Sequence, residues 1–257
     1  MNGFTFVKKT METIFNHRSI RKYKNTPIEP TLLTKILEAG ARASNTGNMQ
    51  VYSMVVTKDG TLRKQLWEAH FKQSMVLEAP VHITFCADIN RFSQWCQLRN
   101  AEPGYDNFLW LYNATIDAVL ASQNVCLEAE SYGLGICYLG TTTYMSQKIT
   151  DILELPKGVV PVTAIVLGYP NEQPQLTDRL PLQGVVHYEK YQPYTRQSIE
   201  TIYAEKEASP LTQKLIAENQ TENLAQIFTE KRYKKADNVY FSKTFLETLK
   251  KQGFMND

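Results

Sequence analysis

The apolar and polar positions of the chain alternate between helical and extended patterns up to about residue 170. The helical period is clear after Pro30, a residue suited to the first turn of a helix. The apolar positions that repeat there are Leu32, Leu33, Ile36, Leu37 and Ala41. Further helices are predicted at Met11–Asn16, Gly60–Phe71, Phe108–Tyr132 and Ser146–Leu153. Strands are predicted at Val51–Thr57, Val81–Ala87, Ile136–Leu139 and Val159–Gly168.

Two of these segments carry further information. Val159–Gly168 is apolar without alternation, which indicates a strand buried on both faces. Phe108–Tyr132 is the longest helical pattern, and its small residues Ala114, Ala118 and Ser122 recur every four positions. This spacing predicts close approach by another helix, either of this chain or of a partner subunit.

The strands end near residue 170, and the remainder of the chain is polar. Pro170–Pro181 is predicted as a loop, and helices are predicted at Pro193–Glu207, Leu211–Lys235 and Phe241–Lys251. The order of elements predicts an α+β or α/β class. We expect a core over residues 1–195 and a helical C-terminal extension over 196–257 that wraps it, within a single domain overall.

Composition restricts the class of protein. The net charge of the 257 residues is +2, which gives no overall field for nucleic acid or a membrane surface. The basic run Lys231–Lys235 is interpreted as a solvated helix face. No apolar run approaches the ~20 residues of a membrane span, and the N-terminal residues lack the apolar stretch of a signal peptide. The four cysteines lack the spacing of a zinc site or a disulfide framework, so we expect free thiols and a cytoplasmic location.

The densest group of chemically useful side chains is His17-Arg18-Ser19-Ile20-Arg21, since guanidinium groups are suited to phosphate and anionic ring edges. Gly133-Leu134-Gly135 superficially resembles a dinucleotide-binding fingerprint, but it follows a helix and enters a strand, which is the wrong order. The histidines are not in metal-ligand spacing, and His70 and His82 are interpreted as structural. Because no activated nucleophile or metal site stands out, enzyme chemistry would have to come from a bound cofactor.

Four segments, in order, are similar to those of the FMN-dependent nitroreductase superfamily. They are His17–Arg21, the small-residue loop Ala43–Gln50, the segment Glu130–Gly140 with its Gly-Leu-Gly, and Asp178–Pro181. Their order and spacing agree over roughly residues 11–195. The chain most resembles the subgroup of oxygen-insensitive NADPH nitroreductases and flavin reductase P. The resemblance implies a central, mainly antiparallel sheet flanked by helices, and a homodimer with the long helix in its core.

The resemblance also implies roles for individual residues. His17, Arg18, Ser19 and Arg179 would hold the FMN phosphate. Arg21 would lie by the pyrimidine edge of the flavin and stabilise the charge that reduction places there. Asn45, Asn48, Gln50 and Gln73 would hydrogen-bond the ribityl chain or ring edge. Tyr138, Leu139, Gly140 and Thr141 would cover one face of the ring, with a backbone N–H near Gly140 directed at N5.

The chain departs from the family pattern in two places. Thr177 stands where the family has a lysine, which removes one positive charge from the phosphate site. The arginines that some members use for the 2′-phosphate of NADPH have no aligned counterpart, and Lys231, Arg232, Lys234 and Lys235 are candidate substitutes. From the residues alone, Arg18 and Arg21 as surface charges, and Asn45–Asn48 as a simple turn, stay open as alternatives.

The resemblance implies an FMN-dependent oxidoreductase with NAD(P)H as electron donor. Hydride would pass to flavin N5 and then to a small-molecule acceptor such as a nitroaromatic or quinone, in a ping-pong mechanism without a side-chain acid or base. A flavin reductase that releases reduced FMN and a flavin-binding sensor without turnover are the alternatives.

Overall fold

A computed structural model describes residues 12–256, so the start of the predicted helix Met11–Asn16 lies outside the described residues, and residues 12–15 are helical. The described chain forms two compact units, one of residues 12–175 and 241–256 and the other of residues 176–240. The second unit thus begins before residue 196, and the last helix returns to the first unit, which differs from the predicted division at residue 195.

The first unit contains a four-stranded sheet of β1 (Tyr52–Thr57), β2 (Val81–Asp88), β3 (Gly135–Tyr138) and β4 (Val159–Gly168). The strand order is β1-β2-β4-β3, and every neighbouring pair is antiparallel. The predicted mainly antiparallel sheet is therefore confirmed. β2 is buried at all eight positions, and β4 is largely buried, as its unbroken apolar sequence predicted.

The helices of the first unit flank this sheet. They are α1 (Pro30–Ala41), α2 (Gly60–Ala69), α3 (Met75–Glu78), α4 (Asn90–Gln97), α5 (Phe108–Ser131) and α6 (Ser146–Ile152). The sequence pattern predicted four of them and missed α3 and α4. α5 ends where predicted because Gly133 adopts the left-handed conformation (φ 75°) that closes a helix C-terminus.

The small residues of α5 are buried within this chain. Ala114, Ala118 and Ser122 are inaccessible to solvent, and among the helices α1 has the most extensive contact with α5. A Cβ on Gly40 of α1 would lie 2.5 Å from Cγ2 of Val125, so only glycine permits this distance. The stripe therefore packs α5 against its own unit, which is the first of the two alternatives that the spacing left open.

The second unit is helical, with α7 (Arg196–Ala208), α8 (Pro210–Asn219), the short α9 (Leu224–Gln226) and a π-helical turn, Ile227–Arg232. α10 (Lys235–Gln252) begins in this unit and enters the first. The predicted single helix Leu211–Lys235 is wrong, because Gln220 at φ 52° ends α8 and the side chain of Asn223 caps the next turn. The basic run 231–235 consequently spans a turn rather than one helix face, although its residues are exposed as predicted.

All four cysteines are free and buried. Within residues 12–256, none of the helices combines the length and apolar character that a membrane crossing requires.

Candidate functional site

The His17–Arg21 segment lies alongside β3. Ser19 pairs with Ile136 in a short parallel bridge, and the backbone N–H of Ile20 donates to the carbonyl of Ile136 at 2.8 Å. The buried Ile20 side chain fills the space next to Gly135, where a Cβ would lie 2.5 Å from Cγ1 of Ile20. Gly135 thus allows the basic segment to pack closely against β3. Its role differs from that of Gly133, which ends α5.

The imidazole of His17 contacts a carboxyl group near the end of α5. Nδ1 of His17 lies 2.7 Å from Oε1 of Glu130, whose side chain is only 11% exposed. Burial raises the pKa of Glu130, and the neighbouring His17 opposes that effect. Glu130 is part of the recognised motif, but no role was predicted for it; in the structure it orients the imidazole.

Arg18 is held by backbone carbonyls on two sides. Its Nε donates to the carbonyl of Asn16 at 3.1 Å, and one terminal nitrogen donates to the carbonyl of Pro174 at 2.9 Å. Arg18 lines a cavity of about 420 Å³ together with residues of the neighbouring loop and of the turn after α5. A guanidinium has five N–H donors, so these two bonds fix the group and leave further N–H donors for a ligand.

Arg21 is exposed, and its backbone is anchored by a carboxylate that sequence reasoning missed. Oε1 of Glu172 accepts the backbone N–H of Arg21 at 2.5 Å and that of Lys22 at 3.1 Å. Burial raises the pKa of the Cys137 thiol in β3, and the Arg21 cation opposes this effect. The loop after β4 thereby sets the positions of both arginines.

The loop with Asn45, Asn48 and Gln50 is tied to α5 by Asp117. One carboxylate oxygen accepts from the backbone N–H (2.9 Å) and hydroxyl (3.2 Å) of Thr46, and the other accepts from the N–H of Val51 at 3.3 Å. Asp117 is 1% exposed. A single aspartate in an apolar helix has no distinctive spacing, so this contact could not be predicted from the sequence.

The backbone within this loop is tightly curved. Gly47, Asn48 and Gln50 all have φ between 54° and 57°, the left-handed region. Oδ1 of Asn45 accepts the N–H of Gln50 at 3.3 Å, so two of the predicted ligands brace each other. The loop is more than a simple turn, because it depends on a buried side chain from another element.

A further group of predicted residues meets at the end of β3. Nε2 of Gln73 donates to the carbonyl of His70 (3.0 Å) and to Oγ1 of Thr141 (3.4 Å). Leu139 is buried, whereas Gly140 is exposed and a Cβ there would have no neighbour within 4 Å. The hydroxyl of Tyr138 lies 2.8 Å from Oγ of Ser122, so its polar end points to α5.

Arg179 belongs to the second unit. One terminal nitrogen donates to the carbonyl and, at 2.7 Å, to the hydroxyl of Thr177, and also to the carbonyl of Asp178. Thr177, which stands where the family has a lysine, therefore acts as an acceptor for Arg179.

Taken together, the structure places the predicted residues of the first unit in three groups. The first is the His17–Arg21 segment on β3, the second is the Asn45–Gln50 loop on α5, and the third is Gln73 with the Tyr138–Thr141 segment. Each group is held by residues that the sequence did not assign, namely Glu130, Glu172, Asp117 and His70.

Comparison with known proteins identifies the family. Residues 14–169 match the model of the nitroreductase family. The chain is 35% identical over 184 residues to an oxygen-insensitive NADPH nitroreductase of Salmonella typhimurium, covering 72% of this chain and 75% of that protein. A Bacteroides fragilis protein of known crystal structure is 50% identical, with a TM-score of 0.94 over 96% of this chain and 100% of that chain.

A second solved structure is that of the NADPH:FMN oxidoreductase of Vibrio harveyi complexed with NAD⁺. It is 27% identical, with a TM-score of 0.82 over 97% of this chain and 100% of that chain. The matched segment contains three of the four recognised motifs and all of the sheet. The chain therefore belongs to the nitroreductase family.

Proposed function

We propose that this protein transfers reducing equivalents from NAD(P)H, by way of FMN, to a nitroaromatic or quinone acceptor in a ping-pong reaction. Membership of the nitroreductase family makes the chain an NAD(P)H-dependent flavin oxidoreductase with FMN as its cofactor. The identity of the acceptor and the ping-pong order go beyond that membership.

The observation that carries the proposal is the anchored Arg18 guanidinium at a cavity beside β3, with the hydroxyl of Ser19 in the same segment. A fixed cation with spare N–H donors next to a hydroxyl is the donor set that a phosphate requires. Backbone N–H groups of the segment are less available, because Glu172 already accepts those of Arg21 and Lys22. The residues present therefore fit the FMN phosphate through side chains.

Bound FMN would supply the ring that accepts hydride and later releases the electrons. The chain's own contribution is to bind, orient and stabilise charge. Arg21 would stabilise the negative charge of the reduced ring, since its backbone is fixed by Glu172 and its side chain is exposed. Asn45, Asn48, Gln50 and Gln73 are proposed as hydrogen-bonding partners of the cofactor, and the Tyr138–Thr141 segment as its cover. The exposed Gly140, with open space at its Cα, leaves room for that approach.

A flavin reductase that releases reduced FMN is the second candidate function. It is supported by Thr177, which lacks the positive charge that a lysine would add to the phosphate site. The roles of Arg179 and His17 in phosphate binding stay predictions from the resemblance. The location also stays a prediction: buried free thiols are in keeping with a cytoplasmic protein.

We also propose a homodimer that uses the outer side of α5. Large apolar residues on that side are exposed, namely Leu109, Tyr112, Ile116, Val119 and Leu120. An exposed apolar surface on one long helix is typical of a protein–protein contact. Sedimentation should give the mass of two chains, and Ile116→Glu should shift it toward one chain.

Steady-state kinetics and flavin retention test the proposal. Initial rates with NADPH or NADH and a nitroaromatic or quinone should give parallel double-reciprocal lines. FMN should stay with the protein during gel filtration after turnover. Intersecting lines would exclude the ping-pong order, and loss of FMN after reduction would support the flavin reductase instead.

A further inference from the structure

A buried pair of imidazoles lies behind Thr141. His70 follows the last residue of α2, and His82 is the second residue of β2. Their Nε2 atoms are 3.3 Å apart, and neither residue is accessible to solvent. On its other side, Nδ1 of His70 lies 2.7 Å from Oγ1 of Thr141. The three side chains therefore form one continuous hydrogen-bonded chain.

Both rings are neutral at physiological pH. Burial lowers the pKa of His70 to about 4. Burial, His70 and the Arg63 cation together place the pKa of His82 well below 6.5. A neutral imidazole carries a single N–H, so the Nε2–Nε2 contact requires one donor and one acceptor. Only two arrangements of the ring protons satisfy this condition: either Nε2 of His82 is protonated and Nε2 of His70 accepts, or the reverse.

The two arrangements differ at His82, which lies at the end of the hydrogen-bonded series away from Thr141. Nδ1 of His82 is buried and has no hydrogen-bond partner in the part of the chain that the structure describes. In one arrangement this nitrogen is an unprotonated acceptor, and in the other it is an N–H donor. A buried N–H without an acceptor is the rarer of the two defects in proteins. The favoured arrangement therefore has His82 donating from Nε2 and His70 donating from Nδ1.

This arrangement determines what the hydroxyl of Thr141 can do. Its oxygen accepts from Nδ1 of His70 and, at 3.4 Å, from Nε2 of Gln73. A hydroxyl has two acceptor positions and one hydrogen. With both acceptor positions used, and with no acceptor for the hydrogen among residues 12–256, this hydrogen is left for a bound molecule.

We propose that the His82–His70 pair makes the Thr141 hydroxyl a hydrogen-bond donor toward the bound flavin, with His70 as a positioning residue. This inference rests on the proposed function, since it places Thr141 beside the cofactor. It assigns a task to two histidines that the sequence suggested were only structural.

Nitrogen-15 NMR of histidine side chains tests the proton order without any cofactor. The protein has four histidines, and the signals of His17 and His187 are identified by His17→Gln and His187→Gln. The signal of His70 is distinguished from that of His82 by its through-space contact with the side chain of Thr141. We expect His70 to be protonated on Nδ1 and His82 on Nε2. The reverse order, or a charged ring at neutral pH, would overturn the inference.

FMN titration of variants tests the consequence. Thr141→Val should weaken FMN binding about three- to tenfold, the effect of one hydrogen bond, and Thr141→Ser should restore it. Thr143→Val removes a hydroxyl two residues away and is the matched control.

The two proposals fail in different ways. If the unaltered protein binds no FMN, the proposed function fails, while the NMR experiment still decides the proton order. If it binds FMN and Thr141→Val binds as tightly as Thr143→Val, the donor role is wrong and the proposed function stands.

Discussion

Replacing Asp117 with asparagine tests whether a buried carboxylate holds the Asn45–Gln50 loop. The carboxylate accepts three hydrogen bonds at 2.9–3.3 Å from Thr46 and Val51 and is almost fully buried. Asparagine keeps one carbonyl oxygen, which can still accept from Thr46. Its amide group would then face the N–H of Val51, which is itself a donor.

The expected cost follows from these contacts. A buried N–H that loses its acceptor costs about 1–3 kcal/mol, and bonds to a neutral oxygen are about 1 kcal/mol weaker than bonds to a carboxylate. We expect Asp117→Asn to lower the free energy of unfolding by about 3 kcal/mol and to weaken FMN binding, because three proposed ligands lie on this loop.

Urea unfolding of the FMN-free protein at fixed concentration measures the first effect, and FMN titration measures the second. Asp151→Asn is the matched control, since Asp151 is exposed and its carboxylate accepts a bond only from the side chain of Gln147, among the contacts that the structure describes. The control should stay within about 0.5 kcal/mol of the unaltered protein. A similarly small change in Asp117→Asn would refute the proposed clamp.

Three further predictions follow from other contacts. Arg18→Ala should chiefly weaken FMN retention, whereas Arg21→Ala should also slow flavin reduction; equal, purely binding defects in both would contradict the division of roles. Gly135→Ala should lower the free energy of unfolding by about 1–3 kcal/mol, because its Cβ would overlap the neighbouring isoleucine, whereas Gly60→Ala meets nothing within 4 Å and should be tolerated. The folded-state pKa of His70 is depressed to about 4. The contribution of the neutral His70 to the free energy of unfolding is therefore present above pH 6.5 and lost as the pH falls toward 4. At about 1.4 kcal/mol per pKa unit this amounts to about 3 kcal/mol, and His70→Gln should show a correspondingly flatter pH dependence of unfolding.

The pattern of apolar residues within a single element was sufficient to predict most strands of the sheet and the longest helix. The bounds of the strand Val159–Gly168 were predicted correctly. Its unbroken apolar run is typical of a buried strand, and the run begins and ends with the strand. α5 ends as predicted because Gly133 supplies the left-handed residue that a helix end favours. The antiparallel pairing of the sheet, in contrast, was implied by the family resemblance rather than by the pattern.

Contacts between distant residues could not be predicted from the sequence. Asp117 and Thr46 are 71 residues apart, and His70 and His82 come from a helix end and a strand. α8 is ended by Gln220, which follows its last residue and lacks the preference of glycine for positive φ, so the helical pattern appeared continuous. The candidate site was thus recognisable by its motifs, whereas the side chains that hold those motifs emerged only from the packed structure.

Anaerobic mixing of the FMN-loaded protein with NADPH or NADH tests the central claim most directly. The visible absorption of the bound flavin should bleach in a single turnover and return on addition of a nitroaromatic or quinone, with FMN still bound. Failure of the protein to bind FMN, or a bound flavin that neither nicotinamide bleaches, would contradict the account.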